Sequence, residues 1–437
     1  MNRLLWSTDK PIPTGPQALP PAERSPGSPA RILFFNGSEL GFSTSARTFE
    51  VVCAERTDID AVHVRVPIRG LLRVAGARVP KRFQPWALGT TRLALANGAA
   101  IARLFRTVLP LDRFDVVHFM TQQRAWALTN LAGHSRTKFA VNIDATVPGW
   151  CRQFGWARSP LNLDARVEKR IIQRADLVVC ASRWVSDSAM RDSGARSDHT
   201  VLNKPCALFD PHLPFRTHDE SPPRGTPGGA LVRIVFVGND WERKGGPRLL
   251  RWHQEHWTSL AEVHVCSATA PRDQSLKNVV WHGPTPREKL LGDILPQMDF
   301  MAMPTSNDTF LIAAQEAQCA GLPVVTSRLA GIPEVVRHGR TGLLCPPESD
   351  QEFIAAIQIL LTDHAKRRAM GLAARAFAMT HLNSLTWHNN LFDQLVALAD
   401  GRPLRFAPEG IDLRRSDQER ANPQSAAESL ALSEIPA

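Results

Sequence analysis

The chain has 437 residues, which is too long for one ordinary domain and suits two, because single hydrophobic cores stop growing beyond roughly 250–300 residues. Hydrophobic residues make up 43% and charged residues 22%, which is typical of a soluble globular protein and excludes a wholly disordered chain. The net charge of +10 suits nucleic acid or an anionic membrane. No nucleic-acid-binding motif accompanies the basic residues, so we expect no nucleic acid partner.

Residues 1–30 are rich in Pro, Gly and Ser and lack the continuous apolar stretch of a signal peptide, which predicts a disordered leader. Apolar runs such as Ile354–Leu361 are shorter than the roughly 20 residues that cross a bilayer. We therefore expect the protein in the cytoplasm.

The seven cysteines are odd in number and contain no CxxC pair, which argues against a zinc site and a disulfide framework.

Residues 31–204 alternate strand and helix patterns, which indicates βαβ units and a parallel sheet. A polar loop, Gly37–Ser45, follows the first strand, and the charged stretch Asp164–Arg174 is predicted to be a helix. The predicted strands are Arg31–Asn36, Ala61–Val66, Phe114–Met120, Lys138–Ile143 and Ala175–Ala181.

The segment 205–230 is rich in Pro, Gly and charge, and we interpret it as a linker. The strand and helix pattern restarts over 231–384, a helix is predicted at Leu385–Ala399, and the polar segment 401–437 is predicted to be a disordered tail. The second set of predicted strands is Val232–Val237, Ala261–Cys266, Val279–His282, Phe300–Met303 and Pro323–Ser327, with helices at Gln351–Leu361 and Ala365–Thr380. The chain is thus predicted to be an α/β protein with two doubly wound, Rossmann-like domains facing an interdomain cleft.

The first segment with candidate chemistry is Phe236–Gly246 (FVGNDWERKGG), in which a strand ends and a basic loop opens the next helix. Adjacent glycines allow close approach of the backbone to an anion, and Arg243 and Lys244 can neutralise phosphate. The alternative is a solvated basic loop. No GxGxxG motif follows either first strand, which disfavours a nicotinamide or flavin enzyme.

The second segment is Pro304–Gly321 (PTSNDTFLIAAQEAQCAG), where N-cap residue types at 306–308 predict a helix that ends at Gly321. On such a helix Asp308 and Glu316 would lie roughly 12 Å apart along the axis, about the distance from a sugar across a pyrophosphate to a ribose. The helix amides between them would face the pyrophosphate. The residues alone favour the alternative, an N-cap Asp and a surface Glu. A third segment, Thr326–Pro347, is interpreted as a return loop.

Residues 232–373 resemble the donor domain of retaining GT-B glycosyltransferases of family 4, the glycosyl transferases group 1. The resemblance is carried by three motifs together: VGNDWERKGG, PTSNDTFLIAAQEAQCAGLPVV and AGIPEVVRHGRTGLLCPP. The N-terminal half resembles that of the family more loosely, through the motifs FDVVHFMTQ, RADLVVCAS and VLNKP. The helix 385–399 is similar to the family helix that crosses back onto the first domain. The resemblance implies hexosyl transfer from a nucleotide sugar to a glycan, lipid-linked or small-molecule acceptor. It also implies retention of configuration, without an obligatory metal or cofactor.

Site roles follow from the resemblance position by position. Lys244, assisted by Arg243, is expected to contact the donor diphosphate. Glu316 is expected to hold the ribose hydroxyls, and Asp308 the transferred sugar. The remaining expected donor-binding positions are Gly238 and Asn239 after the first strand, His282 and Pro284 near the nucleobase, and the backbone of Thr309, Phe310, Leu311 and Ile312 at the phosphates.

The chain departs from the family pattern at several of these positions. Asp308 stands where Glu is commoner, Asn239 stands where Arg is frequent, and Gly41 is single where the family has a glycine pair. Ile143-Asp144 replaces the usual His-Asp. These departures give some support to a second hypothesis, a non-catalytic sugar-nucleotide-binding subunit with the same fold.

Two candidates for the acceptor side keep two interpretations each. Asp144 either orients the acceptor or the sugar, or caps the turn that follows its strand. His118 ends a buried strand and is either a core histidine or, together with Gly41, part of the acceptor side.

A last segment, residues 63–83 (HVRVPIRGLLRVAGARVPKRF), holds six basic residues among apolar ones and no acidic residue. This composition indicates peripheral contact with an anionic membrane at its inner face. The alternative is a solvated loop.

Overall fold

The structure is a computed structural model, and it describes residues 7–8, 27–36, 49–65, 101, 111–127, 136–155, 163–206, 230–271 and 275–406. The chain divides into two compact units. The first extends to Pro205 and resumes at Ser384, and the second extends from Cys206 to Asn383. Each unit is an α/β layer structure with a mainly parallel sheet, which is the fold class expected from the sequence.

The sheet of the first unit has the strand order β1-β3-β2-β4-β5-β6-β7, and every neighbouring pair is parallel except β1 with β3. Its strands are β1 (Ser7–Thr8), β2 (Ala30–Asn36), β3 (Ile59–Arg65), β4 (Val116–Phe119), β5 (Lys138–Ile143), β6 (Leu177–Cys180) and β7 (Thr200–Leu202). The central strands are apolar along their length because both faces of a parallel sheet are covered. Five consecutive residues at the end of β2 are buried.

Among the described residues of this unit, three α-helices lie between β5 and β7: α1 (Val147–Phe154), α2 (Leu163–Arg174) and α3 (Arg183–Ser193). Local sequence sets their ends. The Thr146 hydroxyl accepts a hydrogen bond from the backbone N–H of Gly149 and starts α1. Ser182 caps α3 through the N–H of Val185, and Gly194 ends that helix with a φ of 72°.

The sheet of the second unit is wholly parallel and has the strand order β10-β9-β8-β11-β12-β13. Its strands are β8 (Val232–Val237), β9 (Ala261–Cys266), β10 (Val279–Trp281), β11 (Phe300–Met303), β12 (Val324–Ser327) and β13 (Gly342–Cys345). Counted within this unit, the order is 3-2-1-4-5-6, so the direction of winding reverses between β8 and β11. Ligands of doubly wound folds bind at such a reversal, beyond the carboxyl ends of the strands.

The helices of the second unit are α4 (Gly246–Trp252), α5 (Arg287–Lys289), α6 (Ile312–Cys319), α7 (Asp350–Thr362) and α8 (His364–His381). α4 continues as a π-helical turn over His253–Trp257, and α5 continues through Leu290–Gln297. No helix of the described chain is both long and apolar enough to cross a membrane.

The last helix, α9 (Ser384–Ala399), belongs to the first unit. Its residues Leu391, Phe392 and Leu395 are fully buried in the same apolar cluster as Phe34 of β2 and Phe49. The chain then continues to Phe406, whose carbonyl accepts the backbone N–H of Leu202 at 2.7 Å. The C-terminal segment therefore completes the core and an edge of the first unit.

Two segments predicted to be disordered contain ordered residues. Ser7 and Thr8, within the predicted leader, pair with Arg65 and Val64 at the edge of the first sheet. Residues 401–406, assigned to the tail, are held beside β7 by the Phe406 carbonyl. Backbone pairing at a sheet edge has little compositional signature, which is why the sequence pattern missed both.

Two further expectations about secondary structure were wrong. The helix predicted to start at residues 306–308 starts at Ile312, so the 12 Å helical spacing of Asp308 and Glu316 does not apply. The segment interpreted as a return loop, Thr326–Pro347, contains β13. β13 is only four residues long, which is too short for a clear periodic pattern.

Candidate functional site

The loops after β8 and β11 are joined where the winding of the second sheet reverses. The Arg243 carbonyl accepts hydrogen bonds from the backbone N–H of Ser306 at 2.9 Å and from the Thr305 hydroxyl at 3.2 Å. The Arg243 guanidinium donates to the Asn307 carbonyl and, at 2.8 Å, to the Asp240 carboxylate. These bonds fix one loop against the other, so charged side chains from both loops meet at one point.

Lys244 and Asp308 meet at that point. The Lys244 Nζ atom lies 2.5 Å from Asp308 Oδ2, and the Arg243 guanidinium lies 3.7 Å from the same oxygen. The side chains of Lys244 and Asp308 are 16% and 14% exposed. The three residues expected to act on the diphosphate and sugar are thus brought together. The Asp308 carboxylate lies beside two cations, the Lys244 ammonium and the Arg243 guanidinium.

Two glycines allow this loop conformation. Gly245 has a φ of 84°, and a Cβ atom there would overlap the Pro304 carbonyl. A Cβ at Gly238 would lie 3.0 Å from Lys244 Cγ, so glycine leaves room for the lysine side chain. Asn239, next to Gly238, accepts the N–H of Ala268 with its side chain and the Thr269 hydroxyl with its carbonyl. Asn239 therefore joins the loops after β8 and β9.

The segment Asp308–Leu311 leads into α6. Phe310 and Leu311 are buried, and Leu311 precedes the helix with a φ of 29°, which is strained for a residue with a side chain. The helix start has no side-chain cap. The first amides of a helix carry a partial positive charge and need acceptors, so this uncapped end, four residues from Asp308, suits an anion.

Glu316 lies inside α6 and is 8% exposed. Its Oε1 atom accepts a hydrogen bond of 2.8 Å from Nε of Arg287, the first residue of α5. Burial raises the pKa of the Glu316 carboxyl, and the charge and hydrogen bond of Arg287 oppose that rise. The interpretation of Glu316 as a surface residue is therefore wrong.

His282 lies at the end of a chain of hydrogen bonds. The Glu262 carboxylate lies 2.6 Å from His264 Nε2, and His264 Nδ1 lies 3.0 Å from His282 Nε2. Because a carboxylate only accepts, His264 donates from Nε2 and, when neutral, accepts at Nδ1 from His282. Burial, followed by the charges of His264 and Lys289, lowers the pKa of His282. Pro284, two residues on, is exposed.

Asp144 follows β5 in the first unit, is partly exposed, and lies beside the buried residues Gln122 and Glu168. Glu168 Oε1 accepts the backbone N–H of Val147 at 2.9 Å, and Gln122 donates to the Ala145 carbonyl at 2.8 Å. Desolvation of the carboxyl groups raises the pKa of Asp144 and raises that of Glu168 to about 8, while backbone N–H groups and then the Gln122 amide oppose the rise at both. The capping residue of this turn is Thr146, so Asp144 is not the N-cap of α1.

His118 is fully buried, which corrects its assignment to the acceptor side. Its Nε2 atom lies 2.8 Å from Asn142 Oδ1, and its ring stacks on Phe49 with centroids 5.5 Å apart. Burial lowers the pKa of His118 to about 4. His118 is therefore a neutral core histidine. Gly41 lies outside the described residues.

Two sequence models describe the chain. The model for glycosyl transferases group 1 matches residues 232–363, and the model for the glycosyl transferase 4-like domain matches residues 45–206. The D-inositol 3-phosphate glycosyltransferases of Corynebacterium urealyticum and Corynebacterium jeikeium are 36% and 35% identical to the chain. These matches cover 76% and 75% of this chain and 81% of each relative. The chain belongs to the group 1 glycosyltransferases, family 4.

More distant relatives of this glycosyltransferase agree with that assignment. The glycogen synthase of Mycobacterium tuberculosis is 27% identical over 70% of this chain and 75% of the relative. Sucrose-phosphate synthase from Thermosynechococcus elongatus superposes with a TM-score of 0.63 at 16% identity, over 84% of this chain and 99% of that one. Anabaena HepE in complex with UDP superposes with a TM-score of 0.57 at 14% identity, over 84% and 100%. These structures show the GT-B fold.

The sequence interpretation missed several partners of the glycosyltransferase site. Arg287 holds Glu316, His264 holds His282, and Glu168 lies beside Asp144. Each pair joins residues on different elements, so no local spacing indicates it. The described residues contain no group of three or more His, Cys, Asp or Glu side chains placed to hold a metal ion.

Proposed function

We propose that this glycosyltransferase binds a nucleotide sugar at the junction of the loops after β8 and β11. The observation that carries the proposal is the meeting of Lys244, Arg243 and Asp308 at the reversal of the sheet, close in sequence to the uncapped start of α6. Cations and helix amides at one point suit a diphosphate. The structural relative HepE was solved with UDP, which supports the same ligand class here.

Each residue of the site has a role in this proposal. Lys244 binds the diphosphate and stabilises the negative charge that develops on it as the bond to the sugar breaks. The amides at the start of α6, which follow Thr309, Phe310 and Leu311, contact the phosphates. Arg243 supports Lys244 chiefly by fixing the loop, because its guanidinium already donates to Asn307 and Asp240.

The two ends of the donor are assigned to two carboxylates. Asp308 contacts the transferred sugar and Glu316 the ribose hydroxyls, while the nucleobase lies near His282 and Pro284. These roles follow from the family pattern together with the contacts of each side chain. In the same proposal the anomeric configuration is retained, and no cofactor beyond the donor takes part.

The acceptor is proposed to be a hydroxyl group of a glycan, a lipid-linked glycan or a small polyol. The relatives named as D-inositol 3-phosphate glycosyltransferases and glycogen synthase support this range. Asp144 is the residue of the first unit that we assign to acceptor or sugar orientation, since it lies at the carboxyl end of β5.

The test is a panel of UDP-, GDP- and ADP-sugars, measured first by calorimetric binding and then by transfer to inositol phosphate and glycan acceptors. We expect one nucleotide family to bind, and a product whose anomeric proton coupling in NMR matches that of the donor. Binding without transfer or donor hydrolysis would support a non-catalytic subunit instead. Binding of none of the donors would overturn the proposed site.

The basic segment 63–83 supports a second proposal, contact with an anionic membrane. Residues 66–83 lie outside the described chain, and His63 and Val64 are buried in β3, so the proposal rests on the composition of the remainder. Each basic residue near an anionic bilayer contributes about 1 kcal/mol. Replacement of Arg69, Arg73, Arg78 and Arg82 by Gln is expected to release the protein from anionic vesicles. Equal cosedimentation of the variant and the wild type would refute the proposal.

A further inference from the structure

Arg287 and Glu316 form a pair that the family pattern does not describe. Arg287 Nε donates to Glu316 Oε1 at 2.8 Å, and the two side chains are 30% and 10% exposed. They lie 29 residues apart, on α5 and α6. The second carboxylate oxygen, Oε2, accepts no hydrogen bond from any residue that the structure describes.

We propose that Arg287 is a positioning residue of the donor site, which orients the Glu316 carboxylate and keeps it ionised so that Oε2 accepts from the ribose 2′- and 3′-hydroxyls. This inference rests on the proposed function, in which Glu316 faces the ribose. A carboxylate can accept at both oxygens, so one oxygen can be held by a guanidinium while the other binds a ligand. An arginine placed this way fixes the plane of the carboxylate as well as its charge.

The charge state of Glu316 depends on its neighbours. Burial favours the neutral carboxyl, whose pKa is raised, and Arg287 opposes this. The other titratable side chain near Glu316 is Cys319, one turn along α6, whose own pKa is raised well above its usual value by burial and by Glu316. Arg375 of α8 donates to the Cys319 carbonyl. Arg287 is therefore a cation that favours the ionised form of Glu316.

The experiment compares each ribonucleotide with its 2′-deoxy form. UDP, GDP and ADP are titrated into the wild-type protein by calorimetry, and the one that binds is then compared with its 2′-deoxy diphosphate between pH 6 and pH 9. We expect the wild type to prefer the ribonucleotide by about tenfold, since a hydrogen bond to a charged group is lost in the deoxy form. In Arg287→Met the preference is expected to shrink, and to recover as the pH rises, because burial then favours the neutral carboxyl without an opposing cation.

Three further variants separate the roles. Glu316→Gln should lose the preference at every pH, and Arg287→Lys should keep part of it because the charge remains. Lys289→Met removes a positive charge from the same short helix, two residues from Arg287, and should keep the wild-type preference. Melting temperatures of all variants are compared to detect a general loss of structure.

The outcomes are distinguishable. If Glu316→Gln keeps the preference, or if no diphosphate binds, the ribose assignment in the proposed function fails and this inference fails with it. If Glu316→Gln loses the preference but Arg287→Met keeps it at all pH values, only the role of Arg287 is refuted. Equal weakening of both nucleotides in Arg287→Met, without pH dependence, would show that Arg287 is purely structural and would likewise refute the inference.

Discussion

Lys244 and Asp308 neutralise each other across the two loops of the proposed donor site, with the ammonium nitrogen 2.5 Å from a carboxylate oxygen. A diphosphate that binds to Lys244 must therefore replace Asp308 as its partner, or share the lysine with it. Asp308 carries the same sign of charge as the phosphates, so we expect it to oppose their approach unless, as proposed, it contacts the sugar. We therefore expect the pair to favour a ligand that brings both a diphosphate and sugar hydroxyls.

Replacement of Asp308 by Asn tests this competition. The variant is expected to bind the nucleoside diphosphate alone about fivefold more tightly, because a partly exposed ion pair is worth about 1 kcal/mol. Transfer from the nucleotide sugar is expected to fall, because the charged contact with the sugar is lost. Calorimetry with the diphosphate and a transfer assay measure the two effects. Weaker diphosphate binding in Asp308→Asn would contradict the competition.

Replacement of Lys244 by Ala is expected to lower kcat by about 10²- to 10³-fold, the usual cost of losing one group that stabilises developing charge. The melting temperature should change little, since the side chain makes its ion pair in a partly exposed loop. Lys277→Ala, an exposed lysine of the same unit, is the matched control. Full activity of Lys244→Ala would rule out its role at the diphosphate.

Two buried histidines predict acid sensitivity of the first unit. Burial lowers the pKa values of His118 and His388 to about 4. An unfolded histidine titrates near pH 6.5, so their contribution to stability is complete above that pH and is lost as the pH falls towards 4. The melting temperature of the first unit should drop over this range. Because the whole chain is not expected to unfold in two states, the transition midpoint is the quantity to compare.

His388→Phe isolates one of these histidines. Neither ring nitrogen of His388 has a hydrogen-bond partner within the described residues, and the ring packs against Phe49. A buried polar group without a partner costs about 1–3 kcal/mol, so Phe should raise the melting temperature and reduce its fall below pH 6.5. His256→Phe, at a partly exposed position, should do neither. An unchanged pH profile for His388→Phe would contradict the prediction.

Glu168 predicts the opposite dependence on pH. Its folded pKa of about 8 lies above the unfolded value near 4.5, so the folded chain retains a proton that the unfolded chain loses. Stability should therefore fall as the pH rises from 4.5 to 8, by at most about 1.4 kcal/mol per pH unit. Glu168→Gln, which can still accept the Val147 N–H, should remove this fall, whereas the exposed control Glu255→Gln should not. Parallel pH profiles of the wild type and Glu168→Gln would refute a proton on Glu168.

The sequence was informative where structure is local and periodic. Buried parallel strands such as Val232–Val237 are apolar along their length and were predicted within a few residues. The family pattern also indicated Lys244, Asp308 and Glu316 as neighbours of one ligand, and the structure brings Lys244 and Asp308 into contact.

The sequence did not predict the position of residues that bond to partners distant in sequence. Residues 306–308 have N-cap chemistry, but Asn307 and Asp308 are bound by Arg243 and Lys244, so the helix starts only at Ile312. The residues alone favoured a surface position for Glu316, yet it is buried, and so is Glu168 in the charged helix α2. The partner of Glu316, Arg287, is 29 residues away and belongs to no periodic pattern.

The return of α9 to the first unit has a consequence for synthesis on the ribosome. Leu391, Phe392 and Leu395 belong to the core around Phe34, yet they are translated after the whole of the second unit. Domains usually fold in the order in which they emerge. Here the second unit can complete its sheet while the first still exposes apolar residues that await α9. A nascent chain that stalls before Ser384 is therefore expected to hold a folded second half and an unfinished first half, which is the state in which a chaperone would bind it.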